Sequence, residues 1–446
     1  MHRALHLSEA YRFFLPLVFM VAMMMFVHTA IHATLARLEL PRVSLAAYSV
    51  AFSFHSVVGS PIWTITYIAL SFIHDRRSFG RLVSFNARIM AALFAVYLAV
   101  GLTPLGDLVY GTLLGAGPEV VRQARAATLV LFWEIPLVIF RAVCVALLMI
   151  NRRTGLIPVG TGVRLCGLVL ALWGLPQLFQ GAVVGAGAFV SGILADTALM
   201  LAISARYYRD LPPQVAAPPT ARELWGFGWP LIANRLAENS VVLLINLFLG
   251  RLARADLALA SFGVLYGLLR LIVSPIRNLA ETGQTLGRGA AARRVVLGFA
   301  GQVVVLFSAV LVALFYTPVR GWVLDVAMGL PADVAAYVTP GLYLTLLACG
   351  GWGFSALFRG LLSAERDTRP VATAAVVRVL VVVAVGSAAL WAPEINGAVL
   401  GILALSLAFG ADVVVLGWSL FLRPPPAPVV APDAAAAPTE GVPERG

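Results

Sequence analysis

The sequence predicts an all-α integral membrane protein, with twelve transmembrane helices arranged as two parallel six-helix bundles. Three observations predict it. Hydrophobic residues make up 60% of the 446 positions and charged residues only 12%, about half the charged share of a soluble domain. The apolar residues fall into twelve runs, each long enough to cross a bilayer core of about 30 Å. One phrase also occurs twice: "GAVVGAGAFVSGILAD", Gly181 to Asp196, returns as "GAVLGILALSLAFGAD", Gly397 to Asp412.

In chain order, the first run covers about 11–35. It is too long for the apolar core of a signal peptide and predicts a spanning helix. Runs at about 44–73 and 84–106 follow, separated by the charged turn "HDRRSFGR". Runs at 120–150, 155–175 and 182–206 complete a first set of six. The stretch "DLPPQVAAPPTARE", Asp210 to Glu223, is Pro-rich and polar, as a linker is. A second set of six covers 222–250, 257–285, 294–318, 333–362, 370–392 and 396–422. The tail "PPPAPVVAPDAAAAPTEGVPERG" has too little apolar variety to pack and is expected to be disordered. The expected domains are a first lobe at 1–208, a linker at 209–221, a second lobe at 222–423 and the tail at 424–446.

The net charge of +11 comes from arginine alone, since the chain has no lysine. The arginines are scattered between apolar runs, which argues against a nucleic-acid partner. They crowd one side of the membrane, with Arg76, Arg77 and Arg81 after the second run and Arg288, Arg293 and Arg294 after the eighth. That bias predicts an inner-membrane protein with both termini cytoplasmic. Cys144, Cys166 and Cys349 sit inside apolar runs and are expected to be buried thiols. There is no metal-ligand spacing and no nucleotide-binding loop, so no cofactor is expected.

The two sets of six superpose in sequence. A shift of about 214 positions carries Pro16 onto Pro230, Ser60-Pro61-Ile62 onto Ser274-Pro275-Ile276, and Arg164 onto Arg378. A slightly larger shift carries Asp196 onto Asp412. The repeated phrase is therefore the last helix of a duplicated six-helix unit. Six is even, so both units enter the membrane from the same side and face each other across a cleft. Pro61 and Pro275 lie mid-helix, where each permits a kink.

A charged side chain at a helix centre costs about 2.5–3.5 kcal/mol on insertion scales, so clustered ones are expected to face a cavity or one another. The seventh helix carries Arg235, Glu238, Asn239 and Asn246 on one side, and the eighth carries Arg270, Ser274, Arg277 and Glu281 on one face. The functional reading is a cleft lining that holds an anion between arginines. The structural alternative pairs Arg235 with Glu238 and Arg277 with Glu281 inside their own helices. In the first half, His28, His32 and His55 are candidates for proton coupling, or else helix-packing histidines. His28 and His32 lie one turn apart without a carboxylate, so no metal site is expected. Arg164–Asp196 and Arg378–Asp412 are expected to be structural ion pairs, because each occurs once per lobe. Arg359, near the end of the tenth run, is expected to snorkel.

Family resemblance enters through loops and short phrases. "HDRRSFGRLVSF" is only a partial match to the major facilitators. "FRGLLSAERDTRP", Phe358 to Pro370, resembles the turn after the tenth helix in the multidrug/oligosaccharidyl-lipid/polysaccharide (MOP) exporter superfamily. "FGWPL", "INLFLGR", "SPIRNLAE" and "VVRVLVVV" look like its progressive ankylosis (ANK) branch. The resemblance implies an alternating-access exporter of a small organic anion or phosphate-bearing solute, of the citrate, pyrophosphate or nucleotide class, working in lipid and as a monomer. Competing readings are a flippase for a lipid-linked oligosaccharide, a multidrug exporter of the same superfamily, a membrane-embedded enzyme, and a scaffold without transport. An enzyme would need a catalytic histidine with an acid near one membrane face, a setting that His28, His32 and His55 are not expected to have.

Overall fold

The computed structural model describes residues 5–114, 116–215, 217–330, 332–392 and 394–422; the expected tail lies outside them. With no water in a bilayer core, each backbone polar group must be satisfied within its own segment, and every spanning segment here is helical. The first six spans are α1 (Leu7–Leu35), α2 (Pro41–Val58, continued by Ser60–Phe72), α3 (Arg76–Leu102), α4 (Pro118–Ile150), α5 (Thr154–Gln177) and α6 (Ala182–Arg209). The second six are α7 (Ala221–Leu249), α8 (Ala255–Val273, through Ser274–Asn278, to Leu279–Leu286), α9 (Ala290–Phe315), α10 (Ala332–Ala364), α11 (Arg369–Ala389) and α12 (Gly397–Phe421). Side chains close the helix starts where spans meet water: Asp75 accepts from the Ser78 amide, Thr220 from Glu223, and Asn396 from Ala398 and Val399. Trp173 and Trp391 stand 76% and 91% exposed at the ends of α5 and α11, as amphipathic rings do at a bilayer interface.

The duplication is visible in the backbone. Within each half, α6 packs on α4 and α5 as α12 packs on α10 and α11. Likewise α1 packs on α5 as α7 does on α11, and α2 on α4 as α8 does on α10. The predicted kinks are five-residue 3-10 segments, Ser60–Thr64 and Ser274–Asn278. α2 bends by 53° at its break, whereas α8 continues as one span. Two further pairs of mates had no obvious signature. The turns after α3 and α9 both contain π-helix, at Asp107–Leu113 and Trp322–Ala327. Arg152 and Arg366, after α4 and α10, both take the left-handed conformation, with φ of 54° and 59°.

One contact locates the axis relating the halves. The Tyr67 hydroxyl donates to Glu281 Oε1 at 2.9 Å, and these residues are 214 positions apart. A residue can touch its own repeat mate only at the axis between the repeats. The other cross-lobe hydrogen bonds among the described residues also lie on the side where the chain begins. Gln284 Nε2 donates to the Tyr67 carbonyl at 2.7 Å and to Ser71 Oγ at 2.8 Å. Ser71 Oγ donates to the Ser363 carbonyl at 3.0 Å. Arg366 donates to the Ser71 carbonyl at 2.8 Å, and Tyr11 to Gln302 at 2.9 Å. On the far side His32, Ser53, Asn239 and Arg270 stand exposed inside spans. Polar groups at that depth are costly against lipid and are expected to face water or one another. The hydrogen bonds that join the lobes among the described residues thus lie on the terminus side.

Candidate substrate cleft

The floor of this cleft is built from the charged stripe of the second lobe. Glu238 is its centre, with Oε2 3.3 Å from Arg235 Nη1 on the same helix and Oε1 3.9 Å from Arg277 Nη2 on α8. Arg277 therefore reaches across to α7 and does not pair with Glu281 along its own helix. The 3-10 segment explains this, because it breaks the i,i+4 geometry on which the within-helix pairing depends. Glu281 turns instead to Tyr67 of the other lobe, and its second oxygen has no hydrogen-bond partner. Arg359 lies within electrostatic range of both Glu238 and Glu281. It is buried at 5% exposure and does not snorkel; two carboxylates facing α10 hold it inward.

Arg235, Glu238, Arg277 and Glu281 thus come together, with Tyr67 and Arg359 added. Two predicted members stand apart. Asn246 shares the α7 face, but eight residues beyond Glu238 is about 12 Å further along a helix, which puts it near the far mouth. Arg270 lies above the 3-10 break, where it is in electrostatic range of His28 across the gap. Asn239 is exposed beside Glu238.

Below the floor, each lobe buries an aspartate. In the second lobe Arg378 Nε donates to Asp412 at 2.9 Å, Arg378 Nη2 to Asn234 at 2.9 Å, and Ser355 Oγ to Asp412 at 2.9 Å. In the first lobe the expected Arg164–Asp196 pair does not form. Arg141 of α4 pairs with Asp196, and Arg164 lies over the Phe189 ring, 5.1 Å from its centroid. Arg141 and Ser355 are mates 214 positions apart, and each donates to the aspartate of its own lobe. The longer arginine occupies the carboxylate that Arg164 was expected to take.

The histidines divide. His28 packs between Phe52 and Phe189, at ring-centroid distances of 4.7 and 5.7 Å. His32 rests against Tyr48. His55 has the acid partner that it was not expected to have. It is buried, with Nε2 against Glu134 Oε2 and Nδ1 2.6 Å from the Tyr97 hydroxyl. Their separation of 79 positions, from 55 to 134, hid the pair from the sequence.

On the terminus side the lobes are latched around His74. Arg366 Nη2 donates to His74 Nε2 at 2.5 Å, and its guanidinium lies over Phe72, 4.5 Å from the ring centroid. Burial, together with the Arg366 and Arg288 cations, holds the His74 imidazole below its usual value. Burial and Arg288 likewise lower Arg366. The latch residues Ser71, Gln284 and Arg366 were not singled out in sequence, since each bonds to backbone or to a residue far away in the chain.

No family model matches the chain, and no curated protein matches its sequence. Solved structures do match. The eukaryotic MATE transporter AtDTX14 superposes with a TM-score of 0.71 over 94% of this chain and 96% of its own, at 16% identity. The Vibrio cholerae MATE transporter VcmN in its bent form gives 0.73 over 93% and 97%, at 15% identity. A MOP superfamily transporter from Pyrococcus furiosus gives 0.69 over 93% and 95%, at 16% identity; its binding pocket is described as having reverse polarity, suggesting a different function. The chain has the MATE transporter fold.

Proposed function

We propose that this chain is an alternating-access exporter that moves an organic anion or phosphate-bearing small molecule. It would work as a monomer in the inner membrane, with both termini in the cytoplasm. The reading rests on one observation: an arginine-rich floor, with Arg235, Arg277 and Arg359 around Glu238 and Glu281, lies between two lobes that are latched on one side only. With cytoplasmic termini this is the outward-open state. Asn239 and Arg270 extend the same lining upward, and Asn246 stands at the mouth. Guanidinium groups suit carboxylate and phosphate because they offer paired donors in a planar fork. The likeness of short phrases to the ANK branch points to the same substrate class. The Pyrococcus furiosus relative, with its pocket of reverse polarity, supports the idea that this fold carries clefts of different charge. The chain catalyses no reaction in this reading. A gradient drives it, and we assign proton coupling to the first lobe, where His28, His32 and His55 lie.

The test is uptake of citrate, pyrophosphate and nucleotides into inverted vesicles, comparing wild type with Arg277→Ala and Arg235→Ala. We expect saturable uptake of at least one anion, with both variants losing tenfold or more. Equal uptake by all three proteins would remove the cleft assignment. Export of organic cations alone would establish the multidrug reading, and movement of lipid-linked sugar alone the flippase reading.

A further inference from the structure

A cavity of about 590 Å³ opens on the far side of the first lobe, where α3 ends and α4 begins. Its apolar lining includes Val121, Ala126 and Leu129, and its charged lining is Asp107, Arg122 and Arg125. The π-helical turn Asp107–Leu113 brings Asp107 and Gly111 to it. The internal repeat shows what this end of a lobe needs in order to pack. The register is clear here, since Thr103-Pro104 returns as Thr317-Pro318. At that offset Asp107, Arg122 and Arg125 have Gly321, Ala336 and Thr339 as mates, while Gly101 and Leu129 have Phe315 and Tyr343. Phe315 is buried, and the Tyr343 ring packs on Tyr316 with centroids 4.8 Å apart. The second lobe thus carries rings at two positions where the first has smaller side chains. It also has neutral residues at all three charged positions. The six-helix unit folds without this charged lining, so the lining is there for something else.

The charged groups are held but not used up. Arg125 Nη1 donates to both Asp107 oxygens at 3.1 Å, and its Nε donates to the Gly101 carbonyl at 3.2 Å. Arg122 donates through Nε to Glu119 at 3.0 Å, and through Nη2 to the second Glu119 oxygen. Among the described residues this leaves Arg125 Nη2 and Arg122 Nη1 without a hydrogen-bond partner. Each Asp107 oxygen can accept a further bond, because a carboxylate oxygen has two lone pairs. With Glu119 counted, two cations stand with two carboxylates. That balance suits a ligand carrying one charge of each sign, whereas a plain anion would leave a carboxylate opposed. The depth of the cavity says where such a ligand comes from. It lies at the level where α3 and α4 leave the bilayer, and Leu102, Leu105 and Leu108 of the same segment stand exposed. Exposed leucines next to paired charges match a lipid, which is apolar in its chains and ionic in its headgroup.

We propose that this cavity binds the headgroup of one zwitterionic phospholipid with a primary amine, of the phosphatidylethanolamine type, from the leaflet opposite the termini. The phosphate accepts from Arg122 Nη1 and Arg125 Nη2, in charge-assisted bonds of the kind that guanidinium groups make to phosphate. The ammonium donates to Asp107. A choline headgroup has no N–H to give there, and a glycerol headgroup brings no positive charge to Asp107. The acyl chains lie along the exposed leucines. The site is separate from the charged floor of the cleft and does not rest on the choice of transported solute.

The experiment uses the full-length chain in detergent micelles, with native mass spectrometry counting the lipids bound per chain. Dioleoyl phosphatidylethanolamine is titrated beside phosphatidylcholine and phosphatidylglycerol with the same chains, and beside glycerophosphoethanolamine, the headgroup without chains. We expect the wild type to hold one phosphatidylethanolamine at concentrations where the other two lipids and the soluble headgroup bind about tenfold more weakly. Arg122→Ala removes one phosphate donor from a side chain that is 74% exposed, and should weaken this binding about tenfold, the worth of one charge-assisted hydrogen bond. Gly111→Leu fills the cavity without touching a charge; a Cβ at Gly111 would meet Val121 at an ordinary 3.7 Å. It should abolish the bound lipid. Either variant suffices if the other does not fold, and an unchanged melting temperature without lipid shows which has folded. Equal binding of the three lipids overturns the headgroup assignment, and competition by the soluble headgroup at equal concentration overturns the lipid source. Phosphatidylethanolamine binding that is unchanged in a folded variant, or absent from the wild type, overturns the site itself.

Discussion

Arg378 shows how a charge survives inside the second lobe. It is 1% exposed, yet Asp412 and Asn234 take its Nε and Nη2 donors. Removing one partner strands the other, so Arg378→Ala should lower unfolding stability in detergent by about 3–5 kcal/mol. The double variant Arg378→Met, Asp412→Leu should recover most of that loss, because it removes both desolvation costs. If the single and double variants are equally unstable, the pair does not act as a unit. His74 gives a prediction with a sign. Its imidazole is held below the usual value by burial and by the nearby Arg366 and Arg288 in the latch, so the unlatched state binds a proton more tightly. The latch should therefore be intact above the ordinary imidazole value of about 6.5 and weaken as pH falls through it. His74→Gln keeps an acceptor for Arg366 and should abolish this pH dependence in terminus-side labels, whereas a surviving dependence would place the titrating group elsewhere.

Among the elements, α8 and α10 come close where Gly360 meets Ala280. A Cβ at Gly360 would stand 2.8 Å from the Ala280 Cα, backbone that cannot swing aside. Small residues let membrane helices approach at such points, because lipid supplies no hydrophobic drive between them. Gly360→Ala should push the helices apart and cost about 1–3 kcal/mol, with Gly298→Ala on α9, where a Cβ meets nothing within 4 Å, as the neutral control. Equal melting temperatures for the two variants would contradict this packing. The helix breaks follow a similar logic. Ser60-Pro61 and Ser274-Pro275 were readable because proline removes a backbone donor wherever it occurs. The 53° bend of α2 beside the straighter α8 was not readable, since the first residues of the two segments are the same.

The whole molecule is two lobes joined near an axis on which Tyr67 meets Glu281. Opening the terminus side must break the bonds of Ser71, Gln284 and Arg366 together, which makes the latch cooperative. Arg366→Gly suits the left-handed backbone and deletes the guanidinium. We expect it to increase the population open on the terminus side. The readout is a pair of labels at the mates Gly80→Cys and Arg294→Cys, compared with the far-side pair at Thr103 and Thr317. The two distances should change in opposite directions. Both growing together would mean that the lobes separate without rocking.

By itself, the sequence determined the spans, the duplication and which charged residues stand inside the spans. Helix length is dictated by bilayer thickness, a repeat leaves a constant offset, and intramembrane charge is too costly to be incidental. Only the tertiary structure decided who pairs with whom. Arg141 displaced Arg164 at Asp196, Glu238 drew Arg277 across to α7, and Glu134 found His55 from a different span. Helical periodicity specifies which face a side chain shares with its neighbours along the chain. The depth and rotation of the opposing helix, which set the partner, depend on how all twelve spans pack at once.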